Sequence, residues 1–376
     1  MRDASRHILF LATEYDAPGM RPYARNIINT MWQAGDHVLI VTRDGIDNQA
    51  FPDIPPDSIT WIDYPTSKLA KAKFRYWPSS VNHAIDQLVD EHGINLLYSL
   101  TGELILAPRI KRLQTRVPML YTVHDADYHD YKFSSLGRWI KDRMIIAWPL
   151  QHLFKHTPHM ITNSKEQVGL IKQRFPYHKV HYAPFPTLVN EQIERGGATV
   201  KELENVDDGY ILFFGTIHLY KGLHLLYEAH NTVPELKDKT LVIAGTGDIY
   251  FERKPDEANV IFINRFVQDN ELHDLFSRAS VVVYPYISAT QSGVMSIASY
   301  FGKPMVLSDL PFFKQTCEGS EGITFFEAGN IEALADAIGR SLKSGSSTRP
   351  MYDSHYSTEA LRTALHGIAD SVIKHK

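Results

Sequence analysis

The sequence predicts an α/β fold made of two Rossmann-like, doubly wound domains. Three observations carry this. The chain has 376 residues, more than one domain of ordinary size needs. Short apolar runs alternate with stretches of helical period over residues 8–162, and the alternation resumes at Tyr210. Between the two series, residues 190–208 are polar and charged, contain the pair Gly196-Gly197, and read as a linker.

Each element has its own justification. Ile8–Ala12 is apolar at every position, as a parallel strand covered on both faces should be. A loop with Pro18-Gly19 follows. Tyr23–Ala34 then sets Ala24, Ile27, Ile28, Met31 and Trp32 at helical spacing, and Gly35 ends the pattern. His37–Thr42 is the next strand and completes a βαβ unit. Further strands are expected at Ile94–Ser99, Met119–Val123 and Met160–Thr162. The second series begins at Tyr210 and continues through Thr240–Ala244, Val260–Ile263, Val281–Tyr284 and Met305–Leu307. This repeating order argues for a parallel sheet in each domain. The stretch from Gly345 to Pro350 breaks the chain before a last helical pattern, Ser357–Lys374.

Composition narrows the function classes. A net charge of −4 gives no case for a nucleic-acid binder. The charge is uneven: residues 1–190 carry a net +4 and the remainder a net −8. A basic first half suits a surface that meets phosphate or anionic lipid. The single cysteine, Cys317, excludes an intrachain disulfide and a cysteine metal cluster, and fits a reducing cytoplasm. The apolar run near the N-terminus is too short for a signal peptide, and no stretch reaches the length of a transmembrane helix.

Two segments carry the chemistry. Residues 211–222, Ile-Leu-Phe-Phe-Gly-Thr-Ile-His-Leu-Tyr-Lys-Gly, run from an apolar strand through a glycine-flanked loop with Lys221 to a helix start. Backbone N–H groups and the helix dipole favour an anion there, and a lysine can neutralise a phosphate oxygen. Residues 281–304 repeat the strand, polar glycine loop and helix, with Thr290, Gln291, Ser292, Gly293 and Val294 in the loop. Hydroxyl and amide groups beside a glycine can hold phosphate or sugar oxygens; Thr290 or Ser292 can equally cap the helix. Two such loops at the carboxyl ends of parallel strands can face one ligand.

Phe213–Gly222, Leu241–Gly247, Arg265–Phe276 and Val281–Pro304 resemble the C-terminal domain of glycosyltransferase family 4, the retaining, sugar-nucleotide-dependent group 1 enzymes of the GT-B fold. The pairing of Phe-Phe-Gly and Tyr-Lys-Gly with Pro-Tyr and Ala-Thr-Gln-Ser-Gly-Val is similar to one branch of that family. The resemblance implies two Rossmann-like domains facing across a cleft. An acceptor domain would span residues 1–195 and a nucleotide-sugar domain 196–355, with a final helix over 356–376 crossing back to the first. It implies transfer of a hexose from a nucleoside diphosphate sugar to a polysaccharide or lipid-linked oligosaccharide precursor, without a cofactor or metal.

The resemblance also assigns residues. Lys221 would contact the donor diphosphate, and His124, at the end of a strand, would contact the donor sugar. Gly215, Thr216, His218, Arg265, Phe266 and the loop Thr290–Val294 would complete the donor site. The family usually has an arginine where this chain has Thr216; in the similar branch it lies at the position of His218. The two glutamates usual around the second loop correspond to Ala289 and Ile297, so nothing is assigned to the nucleotide ribose. Gly19, Arg21, Asp125 and His129 would serve the acceptor or a phosphate. Asp125-Ala126-Asp127 has the Asp-x-Asp form of a metal-diphosphate site, but the Lys-bearing loop and the second Rossmann-like half weigh against it. Finally, Leu69–Trp77 and Lys132–Lys155 interleave basic residues with Trp and aliphatics. Such segments suit either packed helices with a wet basic face or a peripheral contact with anionic membrane at the cytoplasmic side. The rival reading is a degenerate GT-B protein that binds a nucleotide sugar or a partner without transfer.

Overall fold

The computed structural model describes residues 6–17, 19–124, 147–255, 257–289 and 292–374. The chain forms two compact units, Met1–Pro186 with Leu361–Lys376, and Thr187–Ala360.

The first unit is built on a seven-stranded parallel sheet in the order β3-β2-β1-β4-β5-β6-β7. The strands are β1 (Ile8–Ala12), β2 (His37–Thr42), β3 (Ile59–Asp63), β4 (Leu96–Ser99), β5 (Met119–Thr122), β6 (His159–Thr162) and β7 (Lys179–Tyr182). Phe10 sits opposite Val38 on one side and Tyr98 on the other. Both sheet faces are covered, which is why β1 has no polar residue. Phe10, Ile40 and Tyr98 pack beneath α1 (Met20–Met31) with Tyr23, Ala24, Ile27 and Ile28. Leu9, Leu11 and Leu39 pack on the other face against Val81, Ile85 and Leu113. α2 (Lys68–Tyr76) follows β3 and has no buried residue.

The second unit repeats the plan with six parallel strands in the order β10-β9-β8-β11-β12-β13. They are β8 (Tyr210–Phe214), β9 (Leu241–Ala244), β10 (Val260–Ile263), β11 (Ala279–Tyr284), β12 (Met305–Ser308) and β13 (Ile323–Phe326). The helices that matter below are α3 (Leu223–Thr232), α4 (Asp269–Ser277) and α5 (Val294–Tyr300). In each sheet the strand order reverses once, between β1 and β4 and between β8 and β11. Loops leaving adjacent strands there diverge and open a crevice at their carboxyl ends.

The segment read as a linker is ordered within the second unit. Asn190 caps a short helix, Glu191–Arg195, by accepting the N–H groups of Gln192 and Ile193 at 3.0 and 3.1 Å. Val200 and Leu203 are buried, and Asp274 accepts the Val200 N–H at 2.9 Å. The unit boundary falls earlier, after Pro186. At the other end α6 (Thr358–Ile373) places Leu361, Leu365, Ala369 and Val372 in the core of the first unit.

Candidate functional site

In the second unit, β8 runs into Gly215, whose φ is 144°. That φ strains any L side chain, and a Cβ there would lie 2.8 Å from the Lys221 Nζ. Gly222, with φ 64°, starts α3, and a Cβ on it would lie 1.9 Å from the Pro285 carbonyl oxygen. The loop is thus locked to its neighbours. Gly215 N–H donates to the Ala244 carbonyl at 2.9 Å, Ile217 N–H to Thr246 at 2.7 Å, and Ile287 N–H to Tyr220 at 2.7 Å.

This packing buries Lys221, leaving 7% of it exposed. Its ammonium lies 5.5 and 5.9 Å from the ring centroids of Tyr286 and Tyr220, and it has no ion pair among the described residues. Ring faces return part of the lost hydration but carry no countercharge. Burial therefore pulls the Lys221 pKa down to about 8. A buried lysine against a glycine, without a carboxylate, is a poor structural element and a good anion receptor.

The other expected donor residues divide. Thr216 and His218 are exposed, and the His218 ring stacks on Tyr220 at 5.9 Å. Ser292 is buried beside the Tyr286 hydroxyl, yet its Oγ closes no hydrogen bond of ordinary geometry among the described residues. Gly293 and Val294 open α5 beside it, and the Gly293 carbonyl accepts the Ser296 hydroxyl at 2.7 Å. Thr290 and Gln291 lie outside the described residues. Ile297 is buried, so that position offers nothing polar to a ribose.

Arg265 departs from expectation. Its Nε and Nη2 donate to Glu202 at 2.8 and 2.9 Å, and its Nη1 and Nη2 donate to Glu271 at 2.8 and 2.7 Å. Glu271 in turn accepts the Gln268 N–H at 2.8 Å and closes the capping box of α4. A guanidinium held by two carboxylates has little charge left for a diphosphate; it ties the 201–203 turn to α4. Phe266 beside it leaves its ring 65% exposed.

In the first unit, His124 follows β5. Its Nε2 lies 2.7 Å from the Leu100 carbonyl and so carries the proton it donates there. Tyr23 meets the ring edge-on at 4.8 Å, and Gln167 donates to the His124 carbonyl at 3.0 Å. Gly19 caps α1 with φ 79°. Arg21 is engaged: Asp16 and Asp44 both pair with its guanidinium. That pairing leaves it to brace the loop after β1 rather than to meet a phosphate. Asp125, Asp127 and His129 lie outside the described residues. Among the described residues no group of three His, Cys, Asp or Glu side chains stands together as a metal site.

Two residues that the sequence reading passed over stand at this crevice. Glu103 is fully buried with φ 46°. Its carboxylate accepts the Thr101 N–H at 3.0 Å, the Thr101 hydroxyl at 2.7 Å, and the Ser99 hydroxyl. Burial nevertheless raises its pKa. Glu14, after β1, accepts the Leu104 N–H at 3.3 Å. Burial, and then the Glu103 charge, lift Glu14 to about 7. Glu14 forms part of the wall of two cavities, of about 360 Å³ and 250 Å³; His124 lines the second. An acid two residues past the end of an apolar strand was the available sequence signal for Glu14.

Residues 18–190 match the model of the family described as Glycosyltransferase Family 4, and residues 208–344 match Glycosyl transferases group 1. No curated protein matches the sequence. Among solved structures, sucrose-phosphate synthase from Thermosynechococcus elongatus is 17% identical with a TM-score of 0.69, covering 99% of this chain and 100% of that one. The HepE protein of Anabaena in complex with UDP and glucose is 16% identical with a TM-score of 0.67, covering 97% and 99%. An α,α-trehalose-phosphate synthase (UDP-forming) from Burkholderia vietnamiensis is 12% identical with a TM-score of 0.65, covering 98% and 100%.

Proposed function

Since the chain is a glycosyltransferase of the GT-B type, with a family 4 domain followed by a group 1 domain, we propose that it moves a hexose from a nucleoside diphosphate sugar to a hydroxyl of a polysaccharide or lipid-linked oligosaccharide precursor, with retention of configuration. The second unit holds the donor. The observation that carries this is Lys221, buried against Gly215 with no carboxylate partner among the described residues. Breaking the sugar–phosphate bond puts charge on the departing diphosphate. A pre-placed cation in a site of low dielectric stabilises that charge more than the ground state. Ser292, Gly293 and Val294 supply polar groups beside it, and the open Phe266 ring is a surface on which a base can stack. The similar structures with UDP and with UDP-glucose support a nucleotide sugar as the co-substrate.

Cations of the protein do the work of a metal in this reading, so EDTA leaves turnover intact. α2 adds a membrane contact. Leu69 and Trp77 are 84% and 76% exposed, and the helix carries Lys68, Lys71, Lys73 and Arg75 without an acid. No helix among the described residues is long and apolar enough to cross a membrane. On this reading the contact is peripheral, at the cytoplasmic face.

The test is thermal stabilisation by a panel of UDP-, GDP- and ADP-sugars, followed by donor hydrolysis and transfer assays on the Lys221→Ala variant. Loss of about 10²-fold in rate is expected. Normal turnover and donor affinity in that variant would remove the proposal. Ile297, buried and apolar where a ribose contact is usual in the family, favours a second reading: binding without transfer. Donor stabilisation with no hydrolysis or transfer would select it.

A further inference from the structure

The larger cavity of the first unit, about 360 Å³ at the carboxyl ends of β1, β2 and β3, lies within the size of an ordinary ligand pocket. Its walls have opposite characters. The Arg43 guanidinium stands 4.8 Å over the Tyr64 ring, and Tyr64 meets Phe74 of α2 edge-on at 5.6 Å. The carboxylates beside Arg43 in the chain and the fold, Asp16 and Asp44, are both engaged by Arg21. Arg43 itself makes no ion pair with a described residue and is exposed. Glu14 lines the same cavity, anchored to the Leu104 N–H.

The geometry points to this cavity as the acceptor subsite, built for a sugar that carries an anionic group. Arg43 meets the anion, the Tyr64–Phe74 pair covers the apolar face of the ring, and the Glu14 carboxyl hydrogen-bonds a hydroxyl. The word acceptor rests on the proposed transfer; the binding chemistry does not. The charged groups around Glu14 are Arg75 from α2, Glu103 from the loop after β4, Asp16 from its own loop, Arg43 in the same cavity, and His124 lining the neighbouring cavity. Below about pH 7 Glu14 is neutral and can donate a hydrogen bond. Above it, Glu14 adds a negative charge beside the anion, so affinity falls as pH rises.

Calorimetry on the full chain with glucose 6-sulfate, whose charge is constant between about pH 5 and 9, against glucose, tests this. The sulfate is expected to bind at least tenfold more tightly at pH 6. Arg43→Gln erases that preference, and Glu14→Gln removes the decline between pH 6 and 8.5. Equal binding of the two sugars, no binding of either, or a preference that survives Arg43→Gln overturns the inference. UDP titration of the same samples separates the two readings. UDP binding that depends on Lys221, without sulfate preference, defeats this inference and leaves the proposed function standing. Sulfate preference without UDP binding supports the subsite and removes the donor reading.

Discussion

Lys221 shows how one side chain links fold to chemistry. The glycines that make its loop possible also bring the backbone close enough to bury it. Burial lowers its pKa from 10.5 to about 8, so the folded protein holds this proton more weakly than the unfolded chain does. Stability of the ligand-free protein should therefore rise with pH between about 8 and 10.5, as the unfavourable buried charge is removed. Affinity for UDP runs the other way. It needs the protonated amine and falls as pH climbs past about 8. The difference in melting temperature between wild type and Lys221→Met, followed with pH with and without UDP, reads both slopes. Identical profiles for the two proteins would mean that no titrating cation faces the ligand.

Secondary-structure elements were legible where burial is complete. β1 and β8 are apolar throughout, and β2 is apolar between His37 and Thr42, because both faces and both edges are covered. β3, β7 and β13 escaped because edge strands keep polar and half-exposed residues: Asp63, Lys179, and the partly open Ile323–Phe325. Polar composition also misled at 190–208, since a short capped helix needs few apolar residues to dock. The loop proposed for the donor could be read because its glycines and lysine are local in sequence. Arg265 could not, because its partners Glu202 and Glu271 converge only in the fold. Its role is to join elements. Arg265→Ala should lower stability by about 1–3 kcal/mol, leaving two carboxylates facing each other, while the thermal shift produced by UDP stays unchanged. Unaltered stability with weakened UDP binding would return it to the donor site. α2 makes a second element-level prediction. Its unburied Leu69 and the Trp77 that ends it, beside four basic residues and no acid in the helix, should bind anionic vesicles at low salt and release them as salt rises. Replacing Leu69 and Trp77 by Ser should weaken binding at every salt concentration. No binding at low salt would leave α2 an ordinary solvated helix.

For the whole molecule, chain order and spatial order differ at the C-terminus. α6 comes last in sequence yet supplies Leu361, Leu365, Ala369 and Val372 to the core built by β1, β2 and α1. Around these apolar contacts lie polar ties: Arg362 donates to the Thr30 carbonyl at 2.7 Å, and Arg6 pairs with Asp370 at 2.9 Å. The ion pair is half exposed at Asp370 and contributes little. The buried leucines dominate. Leu365 is 1% exposed, and truncating it leaves a cavity that the sheet beneath cannot close. Leu365→Ala should therefore destabilise the first unit by about 2–5 kcal/mol. On the proposed reading UDP binds the second unit, so this variant should bind it with unchanged affinity at a temperature where it is still folded. Calorimetric melting paired with a UDP titration at low temperature measures both. A melting profile unaffected by Leu365→Ala would mean that α6 is not part of the first core, and that this unit folds without the end of the chain.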